Sequence, residues 1–366
     1  MLGYLRDSKD TTGRLTVWRT ALLLFVIAFF TRVLFLFFVT PIDPYEDSFH
    51  HWQISYYTLH IGLKYGRLWD LSGMEYFWGI LPTLVQSFLL AVLNTASLLL
   101  FRLFNAIIGS ATVSLLFLVG KRYFNERVGL LIAVASTSFQ VILLLNVTGL
   151  FETLGIFLLL LALLFYDRNE YVCGLCLALA SMCHVLFWIV SWGICGSYLV
   201  FHRSTTRFIP SLVGWLSFMG PYFIFLWSRT DNPIYPFYWA FLGNIAGAWS
   251  VGPGVTRPVS DYILGTAFVI IIGLSLLQLV RKRPRNHIVY VLFLGYFLLQ
   301  AIIFFLTAYT PARERPWIMF FERTFIFEYL FIFLLASIGI DWLISRLRSA
   351  RLKRMGNFVS IFTLIL

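Results

Sequence analysis

The sequence predicts an all-α integral membrane protein, a polytopic bundle of about ten or eleven spans with a large first outer loop. Of its 366 residues, 60% are hydrophobic and only 12% are charged, whereas soluble domains are roughly 45–50% apolar and about 25% charged. Apolar runs recur along the chain, and short basic clusters separate them. This pattern disfavours a nucleic-acid-binding protein, whose basic residues would share one face with polar residues.

The positions of the spans follow from the length of apolar chain that crosses a bilayer, about 20 residues. The run after Arg19 is too long for the apolar region of a cleavable signal and therefore predicts the first span. The run 357–366 predicts the start of a last span, so that residues 1–366 form a single transmembrane domain. The complete predicted spans are 17–39, 99–120, 128–146, 153–167, 171–190, 191–202, 208–228, 262–280, 288–308 and 324–344.

The distribution of basic residues predicts which loops lie outside. If the apolar run 77–97 does not cross the membrane, 19 of the 28 lysines and arginines share the side of the N-terminal tail, 1–16. Because positive charge favours the cytoplasmic side, we expect a cytoplasmic N-terminus and a re-entrant or surface-lying helix at 77–97. The outer side is then the cell exterior, or the lumen of the endoplasmic reticulum in a eukaryote. The outer loops are 40–98, 147–152, 229–261 and 309–323.

The first outer loop begins with a high density of acids and imidazoles. Within nine residues it contains Asp43, Glu46, Asp47, His50 and His51. A solvated loop is the alternative, but such loops usually carry serine, glycine, asparagine and lysine. The three carboxylates are candidate catalytic residues, since a carboxylate can act as a general base. Asp47 with a nearby histidine also offers ligands for a divalent cation.

A second acidic site, Glu152, lies in the short loop between two apolar helices on the same outer side. A carboxylate deep at the edge of a span costs about 2–3 kcal/mol, so a partner or a role is expected. Stabilisation by the dipole at a helix N-terminus is the alternative. His184, near the outer end of its helix, is either an assisting catalytic residue or a packed core histidine.

Four arginines are candidates for binding the phosphate of a lipid-linked donor, because the guanidinium fork matches phosphate oxygens. Arg32 lies about two-thirds of the way through the first span, where an arginine either marks a site or reaches the outer headgroups. Arg313, Arg315 and Arg323 precede the span 324–344. Ordinary ion pairs at the membrane interface are the alternative for these three.

Together these groups suit sugar transfer from a polyprenyl-phosphate donor. An arginine stabilises the departing phosphate, a carboxylate deprotonates the acceptor hydroxyl, and the lipid tail lies between helices. A cytosolic nucleotide-sugar enzyme is disfavoured, since the sequence has neither a dinucleotide-binding glycine motif after a strand nor a P-loop. Two other classes stay open. One is a lipid or solute transporter, which would place charges mid-membrane on broken helices, and the other is a non-catalytic membrane scaffold.

Six motifs occur in order between residues 25 and 330: Glu46-Asp47, Arg102-x-x-Asn105, the inner turn 121–130, Glu152, Asn232-Pro-Ile-Tyr-Pro236 and Arg323. Together they resemble the GT-C superfamily of polyprenyl-phosphate-dependent glycosyltransferases. That superfamily includes the protein O-mannosyltransferases of glycosyltransferase family 39 and the lipid A aminoarabinose transferase. The chain departs from the pattern at His184, where relatives often have an arginine.

The resemblance implies a first outer loop with surface-lying helices and an extracytoplasmic active site. It implies that Asp47 or Asp43 is the base, and that Glu152 assists or binds a cation. Asp47, His50 and Glu152 are therefore the candidate ligands of a divalent cation. The three histidines named above would contact the sugar or the acceptor, or assist the reaction. The implied partners are a polyprenyl-phosphate-linked sugar such as a dolichyl-phosphate mannose, an acceptor glycan, lipid or protein, and the bilayer.

Overall fold

The computed structural model of the chain describes residues 11–60, 78–200 and 202–238, together with residues 330, 333–334, 336–341 and 344. Within these ranges the regular elements are helices, and no β-strand occurs among them. The helices are α1 Thr11–Leu34, continued by a π-helical turn Phe35–Val39, α2 Glu46–His60, α3 Ile80–Leu93, α4 Leu98–Tyr123, α5 Glu126–Ser138, α6 Gln140–Leu145, α7 Glu152–Phe165, α8 Glu170–Ser181, α9 Leu186–Val200 and α10 Thr205–Thr230.

Three helical segments are long and apolar enough to cross a membrane: Leu15–Val39, Leu98–Tyr123 and Thr205–Thr230. At about 1.5 Å per residue, each is longer than the roughly 30 Å hydrocarbon core of a bilayer. The three segments coincide with predicted spans. By the length and composition of these helices, the protein is a membrane protein with a helical architecture, as predicted.

The other described apolar helices are shorter. Helices α3, α7, α8 and α9 have 10–17 residues in their apolar parts, so the count of ten or eleven spans stays a prediction. Several predicted segments lie outside the described residues, namely 262–280, 288–308, 309–323 and 357–366. The predicted span 324–344 is described only in part.

One predicted span, 128–146, is interrupted near its middle. Phe139 has an extended backbone (φ −72°, ψ 120°), so α5 ends before it and α6 begins after it. Apolar composition continues through this break, which is why the apolar run alone predicted one uninterrupted span.

The predicted boundary at 190–191 differs from the structure, where α8 and α9 are separated by residues 182–185. The carbonyls at the end of α8 lack partners within the helix, and N–H groups from other parts of the chain donate hydrogen bonds to them. Trp188 Nε1 donates to Ser181 O (2.8 Å), and Leu81 N donates to Met182 O (3.1 Å). These tertiary contacts stabilise a break that hydropathy does not reveal.

The chain forms two compact units, Met1–Val119 with Ala133–Trp239, and Gly120–Ile132 with Ala240–Leu366. Within the second unit, the Asp341 carboxylate accepts hydrogen bonds from Arg127 Nη1 and Asn125 Nδ2, both at 2.8 Å. The predicted topology places Arg127 and the end of the span 324–344 on the cytoplasmic side, and this contact is consistent with it. The single transmembrane domain itself stays a prediction.

Candidate functional site

The two acid-bearing loops that are predicted to lie outside meet at the start of α4. Arg102 is buried there and donates from Nε to Val147 O (2.8 Å) and from Nη1 to Pro41 O (2.9 Å). Its Nη2 also donates to Thr40 O. A single guanidinium therefore binds the chain that leaves the first span and the loop that leads to Glu152.

Asp43 lies inside this junction, and its side chain has no exposed surface. Its Oδ2 accepts from Gly149 N–H (2.8 Å), and its Oδ1 accepts from Tyr45 N–H (3.0 Å). Arg102 Nε lies 3.8 Å from Asp43 Oδ2. Hydrogen bonds to a charged acceptor are stronger than neutral ones, so Asp43 holds the two loops together and is closed to solvent.

Asn105 holds the remainder of the second loop. Its Nδ2 donates to Thr148 O (2.6 Å) and to Leu150 O (2.7 Å). Residues three apart share one face of a helix, so Arg102 and Asn105 act on the same loop. Neither residue was predicted as a site residue, although two polar residues near the start of an apolar helix were a visible signal.

Asp47 and His50 form the accessible part of the acid cluster. They lie in the first turns of α2, with His50 Nδ1 3.9 Å from Asp47 Oδ1 and side chains that are 33% and 32% exposed. His50 Nε2 also lies 3.9 Å from Glu46 Oε1, and the Glu46 side chain is 87% exposed. The helix dipole favours negative charge at this end of α2. Of the three acids in the loop, Glu46 and Asp47 both combine solvent access with an imidazole nitrogen 3.9 Å away, and Asp47 is the more enclosed of the two.

His51 is buried, unlike its neighbour His50. The His51 ring stacks on Phe151 (centroids 3.7 Å apart) and meets the Trp78 ring edge to face (4.3 Å). Phe151 directly precedes Glu152, which is the buried first residue of α7. His51 therefore packs α2 against the segment that carries Glu152, and its burial supports this packing role in place of direct contact with a sugar.

His184 lies half-buried in the break between α8 and α9. Its Nδ1 accepts a hydrogen bond from Leu186 N–H (3.3 Å). The same break contacts the residue that follows Trp78, since a Cβ on Gly79 would lie 2.7 Å from Cys183 O. Gly79 also has φ +110°, which favours glycine. The break that contains His184 therefore lies beside the stacked rings of His51, Trp78 and Phe151.

Arg32 is fully buried and contacts a different part of the first unit. Its Nη1 donates to Ala28 O (3.2 Å) and its Nη2 to Ser136 O (3.3 Å). Ser136 is among the last four residues of α5, whose carbonyls lack partners within the helix. Arg32 thus stabilises the α5–α6 break and does not reach the headgroups. The other predicted phosphate ligands, Arg313, Arg315 and Arg323, lie outside the described residues.

No group of three histidine, cysteine, aspartate or glutamate side chains that could hold a metal ion occurs among the described residues. The predicted set of Asp47, His50 and Glu152 is therefore not assembled, although the first two are neighbours. Two side chains leave most of the coordination of a divalent cation to water or substrate.

No protein-family model matches the chain, and no curated protein matches it. The likeness of its motifs to the GT-C superfamily consequently stays a prediction. The function is therefore argued from the chemistry of the site.

Proposed function

We propose that this protein is a membrane glycosyltransferase that moves a sugar from a polyprenyl-phosphate-linked donor to an acceptor hydroxyl on the extracytoplasmic face. The observation that carries the proposal is the environment of Asp47. Its carboxylate is one-third exposed and lies 3.9 Å from the His50 imidazole. The next residue, Ser48, accepts a hydrogen bond (3.2 Å) from Gly149 in the loop before Glu152. An accessible carboxylate and a buried one thus belong to adjoining segments.

Glu46 lies equally close to His50, but its side chain is 87% exposed. Asp47 is one-third exposed and directly precedes Ser48, which contacts Gly149, so Asp47 is the group better suited to act as the general base. Its carboxylate accepts the proton of the acceptor hydroxyl while the hydroxyl oxygen forms a bond to the anomeric carbon of the sugar. The bond between that carbon and the phosphate oxygen breaks, and the polyprenyl phosphate leaves with the electron pair. Base catalysis of this kind typically contributes about 10²–10⁴-fold to the rate. His50 Nδ1 lies beside this carboxylate, 3.9 Å from Oδ1, which is beyond hydrogen-bond distance.

The departing phosphate gains negative charge and needs a cationic partner. The arginines of the fourth outer loop are our candidates, because a guanidinium binds phosphate through two parallel hydrogen bonds. Arg32 and Arg102 are less suited to this role, since both donate to main-chain carbonyls within the first unit.

A lipid-linked donor is supported by exposed apolar residues directly before α2. Four such side chains are between 50% and 80% exposed: Phe37, Phe38, Val39 and Ile42. Exposed apolar surface of this kind marks membrane contact in a membrane protein. A polyprenyl tail in the same leaflet would therefore reach the acid cluster without leaving the lipid.

The test is sugar transfer or release by the purified protein from a panel of labelled polyprenyl-phosphate sugars. Asp47→Asn is compared with Asp167→Asn, a control whose side chain is similarly exposed (37%) and pairs with Arg207. We expect Asp47→Asn to lower turnover by at least about 100-fold, and Asp167→Asn to leave it unchanged. A parallel assay with chelator measures any dependence on a divalent cation.

Equal turnover by the wild type and Asp47→Asn, at equal stability, would remove Asp47 from the mechanism. A scaffold predicts that Asp47 and Glu152 can both be replaced without functional loss.

No turnover on any donor, by a protein that still binds the lipid, would favour a lipid or solute transporter. The observation that favours this second candidate is Arg32. It is a fully buried cation in a candidate span, and it contacts the interrupted helix α5–α6. Charged groups on broken helices are expected at transport sites.

A further inference from the structure

The backbone N–H and carbonyl of Gly149 form hydrogen bonds with several segments around the acid cluster. Its N–H donates to Asp43 Oδ2 (2.8 Å) and Ser48 Oγ (3.2 Å), and its carbonyl accepts from Gln86 Nε2 (3.4 Å). A Cβ at this position would lie 3.1 Å from Ser48 Cβ, so the two residues are closely packed. We call Gly149 together with Asp43, Ser48, Gln86 and Arg102 the Gly149 clamp.

The Gly149 clamp joins the two acid-bearing segments through short lengths of chain. Ser48 directly follows Asp47, and Gly149 precedes Glu152 by three residues. Arg102 adds hydrogen bonds to main-chain carbonyls of both segments. A relative movement of Asp47 and Glu152 would therefore break several buried hydrogen bonds, each of which is costly to leave unmade.

We propose that the Gly149 clamp fixes the position of Asp47 relative to Glu152, and that Asp43 is a positioning residue and not the base. The inference rests on the proposed glycosyltransferase function. Asp43 has no exposed surface and uses both carboxylate oxygens on main-chain N–H groups, so it has no access to an acceptor hydroxyl. A misplacement of about 1 Å in a catalytic group costs roughly 100-fold in rate.

Asp43 and Arg102 act as a unit in this arrangement. Asp43→Asn keeps the shape and one acceptor oxygen but loses the charge, whereas Arg102→Lys keeps the charge but loses the fork. Either change weakens the same buried pair. We therefore expect their effects to be non-additive, so that the double variant loses little more turnover than the worse single variant.

The experiment uses the full chain and measures kcat, the KM for the lipid-linked donor, and hydrogen–deuterium exchange of residues 146–151. The variants are Asp43→Asn, Arg102→Lys, their combination and Asp47→Asn, compared at equal folded fraction. Arg207→Lys is the matched control, since Arg207 also pairs with acids but is partly exposed on α10.

We expect the clamp variants to lower kcat by about 10–100-fold with the donor KM changed less than about threefold. Exchange of residues 146–151 should become faster in these variants. Asp43→Asn removes the charged acceptor of the Gly149 N–H, and Arg102→Lys removes the Nε hydrogen bond to Val147 O in the same loop. Asp47→Asn should lower kcat further while leaving exchange unchanged. Arg207→Lys should change neither quantity.

Loss of turnover in Asp43→Asn as complete as in Asp47→Asn, with unchanged exchange, would overturn the proposal and make Asp43 a candidate base. Unchanged kcat with faster exchange would also overturn it, since the clamp would then be structural only. If the wild type turns over no donor, the glycosyltransferase proposal fails separately. In that case unchanged exchange in the clamp variants overturns the clamp, and faster exchange supports it as the link between the two segments.

Discussion

Gly174 in α8 and Gly214 in α10 lie where these two helices cross. A Cβ on Gly174 would collide with the carbonyl oxygen of Ser211, and a Cβ on Gly214 would collide with that of Tyr171. Small residues at a crossing let membrane helices pack through close backbone contact. The two glycines therefore stabilise the first unit because the absence of a side chain lets the backbones of α8 and α10 approach closely.

We expect Gly174→Ala to lower the free energy of unfolding by about 1–3 kcal/mol, because the added methyl group forces the helices apart. Gly196→Ala in α9 is the control, since a Cβ there meets nothing within 4 Å and the residue that follows it is not a proline. It should be neutral or stabilising because alanine favours a helix over glycine. Thermal unfolding in detergent measures both, and equal stability of the two variants would contradict the crossing.

The adjacent histidines 50 and 51 give a second comparison at the scale of residues. His51 is 2% exposed between two aromatic rings, whereas the His50 side chain is 33% exposed beside Asp47. We expect His51→Ala to lower the free energy of unfolding by roughly 1–3 kcal/mol, as loss of core packing does. His50→Ala should lower kcat at least about tenfold with stability unchanged. Turnover and unfolding of both variants are the measurements, and the reverse pattern would contradict these roles.

Helix α3 has the reverse of the pattern expected for a helix that faces water. Polar residues on its buried face are Thr83, Gln86 and Ser87, and apolar residues on its exposed face are Leu84, Phe88 and Val92. Its 14 residues extend about 21 Å, which is less than the roughly 30 Å core of a bilayer. α3 is therefore suited to lie partly in lipid without crossing it, which agrees with the expectation for 77–97.

We expect a fluorophore on Phe88→Cys to be quenched by brominated lipids and shielded from a water-soluble quencher, because Phe88 faces outward on the apolar side of α3. A fluorophore on Ala96→Cys, in the exposed turn after α3, should show the opposite response. The four native cysteines are buried and should not compete for the label. Equal access of the water-soluble quencher to both positions would contradict a lipid-facing α3.

At the scale of the whole molecule, the sequence predicts that the acid cluster and the turn before α10 lie on opposite sides of the membrane. Within the first unit, α9 returns antiparallel to α8. Ser191 Oγ donates to Leu177 O (3.1 Å) and Tyr198 Oη donates to Tyr166 O (2.5 Å). The chain therefore reverses direction at residues 182–185, so the start of α10 lies at the opposite end of α9 from this break.

We expect a membrane-impermeant thiol reagent to label Ala96→Cys in intact cells and to label Thr205→Cys only after permeabilisation. Thr205 is exposed at the start of α10, so burial does not limit its reaction. The two positions test the positive-inside orientation directly. Labelling of both positions from the same side would contradict the prediction that they lie on opposite sides of the membrane.

The sequence by itself determined the membrane character of the protein, the three long helices and the grouping of acids in two short segments of chain. These features belong to single segments of chain. The length of an apolar run decides whether it can span a bilayer, and residues 43–51 are close in space because they are close in sequence. The predicted neighbourhood of Asp47 and His50 follows in the same way from one turn of α2.

Only the tertiary structure decided which of these side chains are closed and which are open. Asp43 and Asp47 look alike in sequence, yet Asp43 is buried because the peptide group of Gly149, 106 residues later, donates to it. Arg32 is held in its place because the carbonyl of Ser136, 104 residues away in the last turn of α5, accepts a hydrogen bond from it. Contacts over such separations depend on how the helices pack. The residue pattern of a single segment does not indicate which distant residues will contact it.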